Sequence, residues 1–210
     1  MFRDRIEAGT ILAKKLKKYK NENGIVLAVP RGGVPVAYAV AQELNMPVDI
    51  VLTKKIGHPA NNEYAIGAAS LTDYFVLPHT GVSEGYIQNE VKKVRERLQE
   101  MYKKFMGGSG PESITGKTVI VIDDGIATGN TLLATVGILR KDHPEKIVVA
   151  APVASASAVL KLSKEADEVV VALIPDEFYG VGQFYEDFQQ VSDEEVIYYL
   201  AKLNNLKKAV

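Results

Sequence analysis

The 210-residue sequence contains no cysteine, which excludes disulfide bonds, thiol catalysis and thiolate metal sites. It has no uninterrupted apolar run of ~18 residues, so a membrane-spanning helix is not expected. The first twenty residues lack the apolar stretch and the small-residue cleavage site of a signal peptide. Neither sign of charge dominates, because 25 basic residues face 26 acidic ones. That balance argues against a protein that binds nucleic acid through bulk positive charge. We therefore expect a cytoplasmic protein without a membrane or nucleic-acid partner.

Hydrophobic residues make up 47% of the sequence, which is ample for the core of one domain. The apolar runs are continuous, and segments with helical spacing separate them, as is typical of parallel strands buried on both faces. This pattern predicts strands at 25–29, 48–53, 118–122, 146–151 and 168–173, with shorter pieces near 66–70 and 74–77. It predicts helices at about 3–20, 34–44, 130–141, 155–165 and 191–203, the last opened by capping-box spacing at Ser192 and Glu195. We therefore predict one α/β domain over 1–210, a mainly parallel sheet flanked by helices, with ligands beyond the carboxyl ends of the strands.

One long helical pattern interrupts this alternation. Over 83–106 the apolar residues follow a 4-3-4-3-4 spacing, at Ile87, Val91, Val94, Leu98, Met101 and Phe105. The spacing predicts an amphipathic helix that packs on the domain or on another subunit. The sequence leaves both open, so a homodimer is one expectation. The glycine-rich segment 107–113 is typical of a flexible connector.

The stretch TVIVIDDGIATGNTL at 118–132 joins a strand to a helix through a loop suited to an anion. A helix N-terminus presents free backbone N–H groups and the positive end of the dipole, both of which favour phosphate. Gly129 allows close approach of the backbone. The side chains of Thr128, Asn130 and Thr131 add further donors.

The two acids of this loop call for a different partner. Asp123 and Asp124 would repel a phosphate, and they suit hydroxyl donors or Mg²⁺ instead. A ribose phosphate satisfies both halves of the loop, with its phosphate on the turn and its 2′ and 3′ hydroxyls on the aspartates. Simple helix capping would explain neither both acids nor both threonines.

At these residues the sequence resembles a known family. VIVIDDGIATGNT (119–131) resembles the 5-phosphoribosyl-1-pyrophosphate (PRPP) motif of the type I phosphoribosyltransferases. PRGGVPVA, KKIGHPANNEYAIGA and VGQFYEDFQQVSDEEV extend the resemblance over nearly the whole chain, to predicted bacterial and archaeal phosphoribosyltransferases. The resemblance implies transfer of a 5-phosphoribosyl group from PRPP to a nitrogenous acceptor, a base or an amine, with release of pyrophosphate and with Mg²⁺ as cofactor. It implies that PRPP carries most of the Mg²⁺ ligands, with Asp123 and Asp124 as further ligands left open. It also implies a 5-phosphate site at Ala127, Thr128, Gly129, Asn130 and Thr131.

A second anion-binding loop is predicted at PRGG, residues 30–33. Gly32 and Gly33 can form a nest of N–H groups, and Arg31 can bind phosphate oxygens with two donors. In the resembled family the loop after the first strand binds pyrophosphate, so these three residues are expected to do so. Lys54 and Lys55 leave the second strand, and one of them is expected to neutralise pyrophosphate, although the sequence does not choose between them. The implied catalytic set is Asp123, Asp124, Arg31 and Lys54.

The acceptor side of the site is less defined. Enzymes that salvage 6-oxopurines carry an acid immediately before the Thr-Gly of the motif, and Ala127 stands there, which weakens the evidence for such an acceptor. Segment 174–210 is expected to form a C-terminal hood. Its aromatic residues either stack on a base or pack on the core; they include Phe178, Tyr179, Phe184 and Tyr185. Because PRPP must be shielded from water, we expect the helical insertion 71–110 to form all or part of a lid.

Two other functions stay open at this point. The protein could be a regulatory PRPP sensor that keeps the ligand site without catalysis, or it could hydrolyse or phosphorolyse a related phosphoribosyl compound. The presence of Arg31 and Lys54 together with both aspartates favours catalysis.

Overall fold

Five parallel strands form the central sheet in a computed structural model that describes residues 1–78, 81–108 and 110–207. Positions 79, 80, 109 and 208–210 belong to the predicted insertion, connector and hood, and they lie outside the described residues. The strands in chain order are β1 (Gly24–Ala28), β2 (Val48–Ile50), β3 (Lys54–His58), β4 (Asn61–Ala69), β5 (Tyr74–Val76), β6 (Thr118–Ile122), β7 (Lys146–Val153) and β8 (Glu168–Leu173).

The α-helices of the described chain lie between and around these strands. They are α1 (Arg5–Lys15), α2 (Gly33–Leu44), α3 (Glu84–Met106), α4 (Asn130–Leu139), α5 (Ala156–Leu162) and α6 (Asp193–Lys207). None of these helices is both long enough and apolar enough to cross a membrane.

The strand order of the central sheet fixes where a ligand can bind. The order is β2-β1-β6-β7-β8, and every neighbouring pair is parallel. From β1 the chain moves outward to β2 on one side, whereas from β6 it moves outward to β7 and β8 on the other. The loops that leave β1 and β6 therefore diverge and open a crevice at their carboxyl ends. The predicted fold class, a mainly parallel α/β sheet flanked by helices, is confirmed.

The sheet is buried on both faces, as its continuous apolar strands predict. On one face Ile120 and Ile122 of β6 pack with α1, α2, α3 and α6. On the other face Val119 and Val121 pack with α4 and α5. Side chains alternate between the faces of a strand, so a single apolar run serves both layers.

The stretch after β2 differs from the prediction. The second strand ends at Ile50 and not at 53, and residues 54–69 form a hairpin of β3 and β4, of which only the short piece near 66–70 is predicted from the sequence. With β5 this hairpin makes a separate three-stranded antiparallel sheet. Only Ile56 and Gly57 of β3 are buried, and the pairing register shifts around Gly57. Such a strand lacks the apolar run or the regular alternation that reveals strands in a sequence.

Helix α3 matches its predicted extent, and one residue of its predicted apolar face is wrong. Met101 is 42% exposed, and Tyr102 is buried in its place. The 4-3-4-3-4 pattern imposes 3.5 residues per turn, whereas the helix turns every 3.6 residues, so the buried face passes from Leu98 to Tyr102. The Tyr102 hydroxyl donates a 2.8 Å hydrogen bond to buried Asp49 of β2, whose other carboxylate oxygen accepts from the Glu112 backbone. These bonds tie the end of α3 to the core.

Candidate functional site

The two glycine-containing loops of the crevice lie directly against each other. A Cβ added to Gly32 would lie 2.0 Å from Oδ2 of Asp124, and one added to Gly33 would lie 2.5 Å from the carbonyl oxygen of Ile122. No side chain fits in either space, so both positions require glycine. The peptide bond between Pro30 and Arg31 is cis. The structure thus brings the predicted pyrophosphate loop into contact with the predicted ribose-binding acids.

The two acids have different surroundings. Oδ1 of Asp123 accepts a 2.9 Å hydrogen bond from the Asp124 backbone N–H. Removal from water, and then the negative charge of Asp124, raise the pKa of Asp123 above its ordinary value. Asp124 is paired instead with Arg5, whose Nε donates to its Oδ2 at 2.8 Å. The hydroxyl of Tyr185 donates a 2.6 Å hydrogen bond to the Asp124 carbonyl.

The predicted phosphate turn occupies the start of α4. Gly129 is the residue before the helix and has a φ of +73°, in the left-handed region that favours glycine. A Cβ there would meet its neighbours at 3.4 Å, so the backbone conformation and not crowding accounts for the glycine. Asn130 and Thr131 open the helix with exposed side chains, next to the free N–H groups of its first turn.

The turn is supported from α5. The Ser155 hydroxyl, which caps α5, donates a 2.6 Å hydrogen bond to the Ala127 carbonyl. Nζ of Lys161 lies 3.4 Å from the Thr128 carbonyl. Ala127 and Thr128 are themselves exposed. The backbone of the turn is therefore held from behind, and its outer side is accessible to a ligand.

The two predicted lysines lie on strand β3, and both are exposed. They line a cleft of about 430 Å³ together with Asn130 and Thr131. Arg31 and Gly32 do not line this cleft. The structure therefore places Lys54 and Lys55 in one cleft with the start of α4, and it does not choose between the two lysines.

Arg31 lines a separate, more open cleft of about 600 Å³ with Gly32, Asp124 and Arg5. Its Nε lies 2.8 Å from Oδ1 of Asp193, the first residue of α6. The other oxygen of Asp193 lies 2.5 Å from Nζ of Lys104, near the end of α3. The hydrogen bond from Lys104, together with the charge of Arg31, holds the pKa of Asp193 below its ordinary value.

The aromatic residues of the predicted hood are divided between packing and exposure. Tyr185 is buried, and the centroid of its ring lies 5.4 Å from that of Phe2 and 5.0 Å from that of Phe188. Phe178 and Phe184 are half-buried and contact each other at 5.4 Å. Tyr179 is 84% exposed. Tyr185 therefore helps to hold the loop of the acids, and the other predicted aromatic residues lie farther toward the surface.

Two charged residues of this region are missed by the sequence analysis. Arg5 and Asp193 each contact a predicted site residue, Asp124 and Arg31 respectively. Each lies at the first residue of a helix that is distant from its partner in sequence, and the capping box around Asp193 does not mark it as a partner of Arg31. The fold alone brings them to the crevice.

The residues present fit a magnesium ion that arrives with a phosphate ligand. Within the described ranges no group of three or more histidine, cysteine, aspartate or glutamate residues is arranged to hold a metal. The loop after β6 offers the adjacent carboxylates of Asp123 and Asp124, and Arg5 engages Asp124. Mg²⁺ is often bound by one or two carboxylates together with substrate phosphates. The donor set matches that case and not a metal site built by the protein alone.

Comparison with known proteins shows the family to which the chain belongs. Residues 4–189 match the phosphoribosyl transferase domain family. The chain is 36% identical over 205 residues to the Mycobacterium tuberculosis protein named "Putative phosphoribosyl transferase", a match that covers 95% of this chain and 46% of that protein. The chain therefore spans about half the length of that relative.

Solved structures give the same result for the fold. The Thermus thermophilus protein TT1426 superposes with a TM-score of 0.86 at 36% identity, over 96% of this chain and 98% of that one. The Aquifex aeolicus protein AQ2163 superposes with a TM-score of 0.51 at 15% identity, over 93% and 86% of the two chains, which shows likeness of fold alone. The chain belongs to the phosphoribosyl transferase domain family, and the predicted family resemblance is confirmed.

Proposed function

We propose that the protein is a phosphoribosyltransferase that uses PRPP with Mg²⁺, transfers the 5-phosphoribosyl group to a nitrogenous acceptor and releases pyrophosphate. One observation carries the proposal. The carboxyl end of β6 presents two aspartates and then a glycine turn at a helix N-terminus, while the glycine loop after β1 lies against the second aspartate. Groups that suit a diol, a phosphate and a pyrophosphate thus surround one crevice.

The phosphate turn is proposed to bind the 5-phosphate. The exposed groups of residues 127–131, the free N–H groups of α4 and the helix dipole favour an anion there. Lys54 and Lys55 line the same cleft as Asn130 and Thr131 and add positive charge there. We predict pyrophosphate as the partner of one of the two lysines, and the cleft that they share with Asn130 also supports a contribution to binding the 5-phosphate.

The acids are proposed to bind the ribose. Asp123 and Asp124 offer oxygens to the 2′ and 3′ hydroxyls, and their negative charge favours a sugar ring that becomes positive as its bond to pyrophosphate breaks. Arg31, Gly32 and Gly33 are proposed to bind the pyrophosphate through guanidinium and backbone donors. Mg²⁺ bound to PRPP would supply further charge neutralisation at the departing pyrophosphate.

The proposed reaction exchanges one bond for another at C1 of the ribose. The bond between C1 and the pyrophosphate oxygen breaks with its electron pair on oxygen, and the acceptor nitrogen forms the new bond to C1. The role of the protein is to hold the reacting groups in line and to stabilise the charges that develop. Segment 71–110 is proposed to help exclude water, since water at C1 would hydrolyse PRPP.

The acceptor is proposed to enter beside the hood. Phe178, Tyr179 and Phe184 are the predicted aromatic residues that keep exposed surface, and such faces can stack on a planar base. Tyr185 is proposed to act from behind, because its hydroxyl holds the Asp124 backbone. A cytoplasmic location and a homodimer stay predictions from the sequence.

Pyrophosphate release across a panel of bases and amines, with PRPP and Mg²⁺, tests this proposal. We expect one acceptor class to release pyrophosphate in proportion to the ribosylated product. Release without any acceptor would support hydrolysis instead. Saturable PRPP binding with no release across a broad panel would support the regulatory sensor. Absence of PRPP binding would overturn the proposal.

A further inference from the structure

We infer that Arg5, at the start of α1, is a positioning residue that orients the carboxylate of Asp124 for the ribose. The inference rests on the proposed function and assigns a role to a residue outside both PRPP loops. The N-terminal segment would then contribute a residue to the ribose site of the crevice.

The guanidinium of Arg5 is held from three directions. Its Nε donates to Oδ2 of Asp124 at 2.8 Å, and its Nη1 donates to the Gln189 carbonyl at 2.8 Å. Its centre lies 4.0 Å from the ring centroid of Phe188, a cation–π distance. The side chains of Arg5 and Asp124 are only 10% and 14% exposed. An arginine fixed in this way has little freedom to leave its partner.

The contacts of Asp124 engage its two oxygens unequally. Oδ2 lies between Arg5 and the Cα of Gly32, where there is no room even for a methyl group. The hydrogen bond from Arg5 goes to Oδ2, the oxygen nearer to Gly32, whereas Oδ1 lies 3.0 Å from the position of a Gly32 Cβ. The cleft that Arg5 and Asp124 line together also contains Arg31. Arg5 thus engages the oxygen turned toward the glycine loop, and the other oxygen is the one proposed to accept from a ribose hydroxyl.

The hydrogen bonds of residues 2–4 fix the position of Arg5. Phe2 pairs with the hood through its N–H to the Phe184 carbonyl at 2.7 Å and through its carbonyl to the Glu186 N–H at 2.8 Å. The side chain of Asp4 then caps α1 by accepting from the Glu7 N–H at 2.8 Å. Residues 2–4 are therefore fixed on both sides, and the first helical residue enters the crevice. The side chain of Arg3, two positions earlier, pairs with the adjacent Asp4 and is 68% exposed, and the contact of Arg3 with the hood is made by its backbone carbonyl, which accepts from the Asp187 N–H at 2.9 Å.

Calorimetry with two ligands, PRPP with Mg²⁺ and pyrophosphate with Mg²⁺, separates positioning from a general structural effect. We expect Arg5→Ala to weaken PRPP binding about 10- to 100-fold, the loss in affinity that corresponds to a misplaced hydrogen bond to a charged group. Pyrophosphate binding should change by less than about threefold, because Nε and Nη1 of Arg5 are already bound to Asp124 and to the Gln189 carbonyl, and Arg31 with the glycine loop is the proposed pyrophosphate donor. Arg3→Ala is the matched control and should leave both affinities unchanged.

The conservative variant completes the test. Arg5→Lys keeps the positive charge and cannot contact both Asp124 and the Gln189 carbonyl, so we expect a loss of PRPP affinity of about tenfold, with pyrophosphate binding retained. This variant carries the test if Arg5→Ala does not fold. Wild-type PRPP affinity in both variants, or a parallel loss of both ligands, would overturn the inference while the proposed function stands. A wild-type protein that binds no PRPP would overturn the proposed function first.

Discussion

Replacing Gly32 by alanine should damage the site at the contact between its two loops. The new Cβ would lie 2.0 Å from Oδ2 of Asp124 and 2.5 Å from its Cγ. Ordinary contact begins at 3.4 Å, so the carboxylate or the loop must move by about 1.4 Å, the difference between 3.4 and 2.0 Å. A carboxylate displaced this far loses its hydrogen bond to the ligand, and a hydrogen bond to a charged group is worth about 1.5–3 kcal/mol, which is about 10- to 100-fold in affinity. We therefore expect Gly32→Ala to weaken PRPP binding by about 10- to 100-fold.

The assay is calorimetric titration of PRPP with Mg²⁺, combined with thermal unfolding of the same samples. Gly137→Ala is the matched control, because Gly137 lies inside α4, the helix that begins at the phosphate turn, and a Cβ there meets nothing within 4 Å. That control should keep wild-type PRPP affinity and gain about 0.5–1 kcal/mol of stability from the higher helix propensity of alanine. Wild-type PRPP affinity in Gly32→Ala would contradict this prediction, since it would mean that the contact between Gly32 and Asp124 does not affect PRPP binding.

Three further changes test single features of the structure. Burial acts to raise the pKa of Glu168, but hydrogen bonds, including one of 2.6 Å from Tyr19, outweigh it and lower the pKa below its ordinary 4.5. The stabilisation is present above pH 4.5 and is lost as the pH falls through the lowered pKa. Glu168→Gln should therefore lower the free energy of unfolding by about 1 kcal/mol at pH 7 and by less in acid. Denaturant titration of both proteins at both pH values measures this, and a difference that does not change with pH would contradict it. Gly129→Ala should destabilise the protein by about 1–2 kcal/mol because Gly129 has a positive φ. Gly129→Asn should destabilise it by less, since asparagine tolerates the left-handed conformation. Equal melting temperatures of both variants and the wild type would contradict this prediction. Ser192→Ala removes the cap hydrogen bond to the Glu195 N–H and should cost about 1 kcal/mol of unfolding free energy, whereas an unchanged denaturation midpoint would show that the cap contributes nothing.

The elements with strong local signals are those that the sequence predicts well. Strand β6 is a continuous apolar run, and Gly129 takes the left-handed conformation just before α4, so the strand at 118–122 and the helix start at 130 are predicted to the residue. The start of α6 is another case, since the spacing of Ser192 and Glu195 forms the expected reciprocal cap.

The missing parts depend on contacts that a local pattern does not encode. The pair Arg5–Asp124 joins residues 119 positions apart, and only the packing of α1 and the hood against the sheet creates it. Strand β3 exposes both of its lysines, so nothing in its pattern separates it from a loop. The predicted spacing of 3.5 residues per turn is slightly too short for a helix and places Met101 on the buried face. Tyr102 is buried instead, and its hydroxyl donates a hydrogen bond to Asp49.

The central claim is that the adjacent acids and the phosphate turn form one site for the ribose 5-phosphate part of PRPP. Calorimetric titration of PRPP in the presence of Mg²⁺ into the wild type and into Asp123→Asn/Asp124→Asn tests it most directly. We predict saturable, Mg²⁺-dependent binding of PRPP to the wild type and a greatly weakened PRPP affinity in the double variant, which should keep its fold. No binding to the wild type at millimolar PRPP, or equal binding to both proteins, would contradict it.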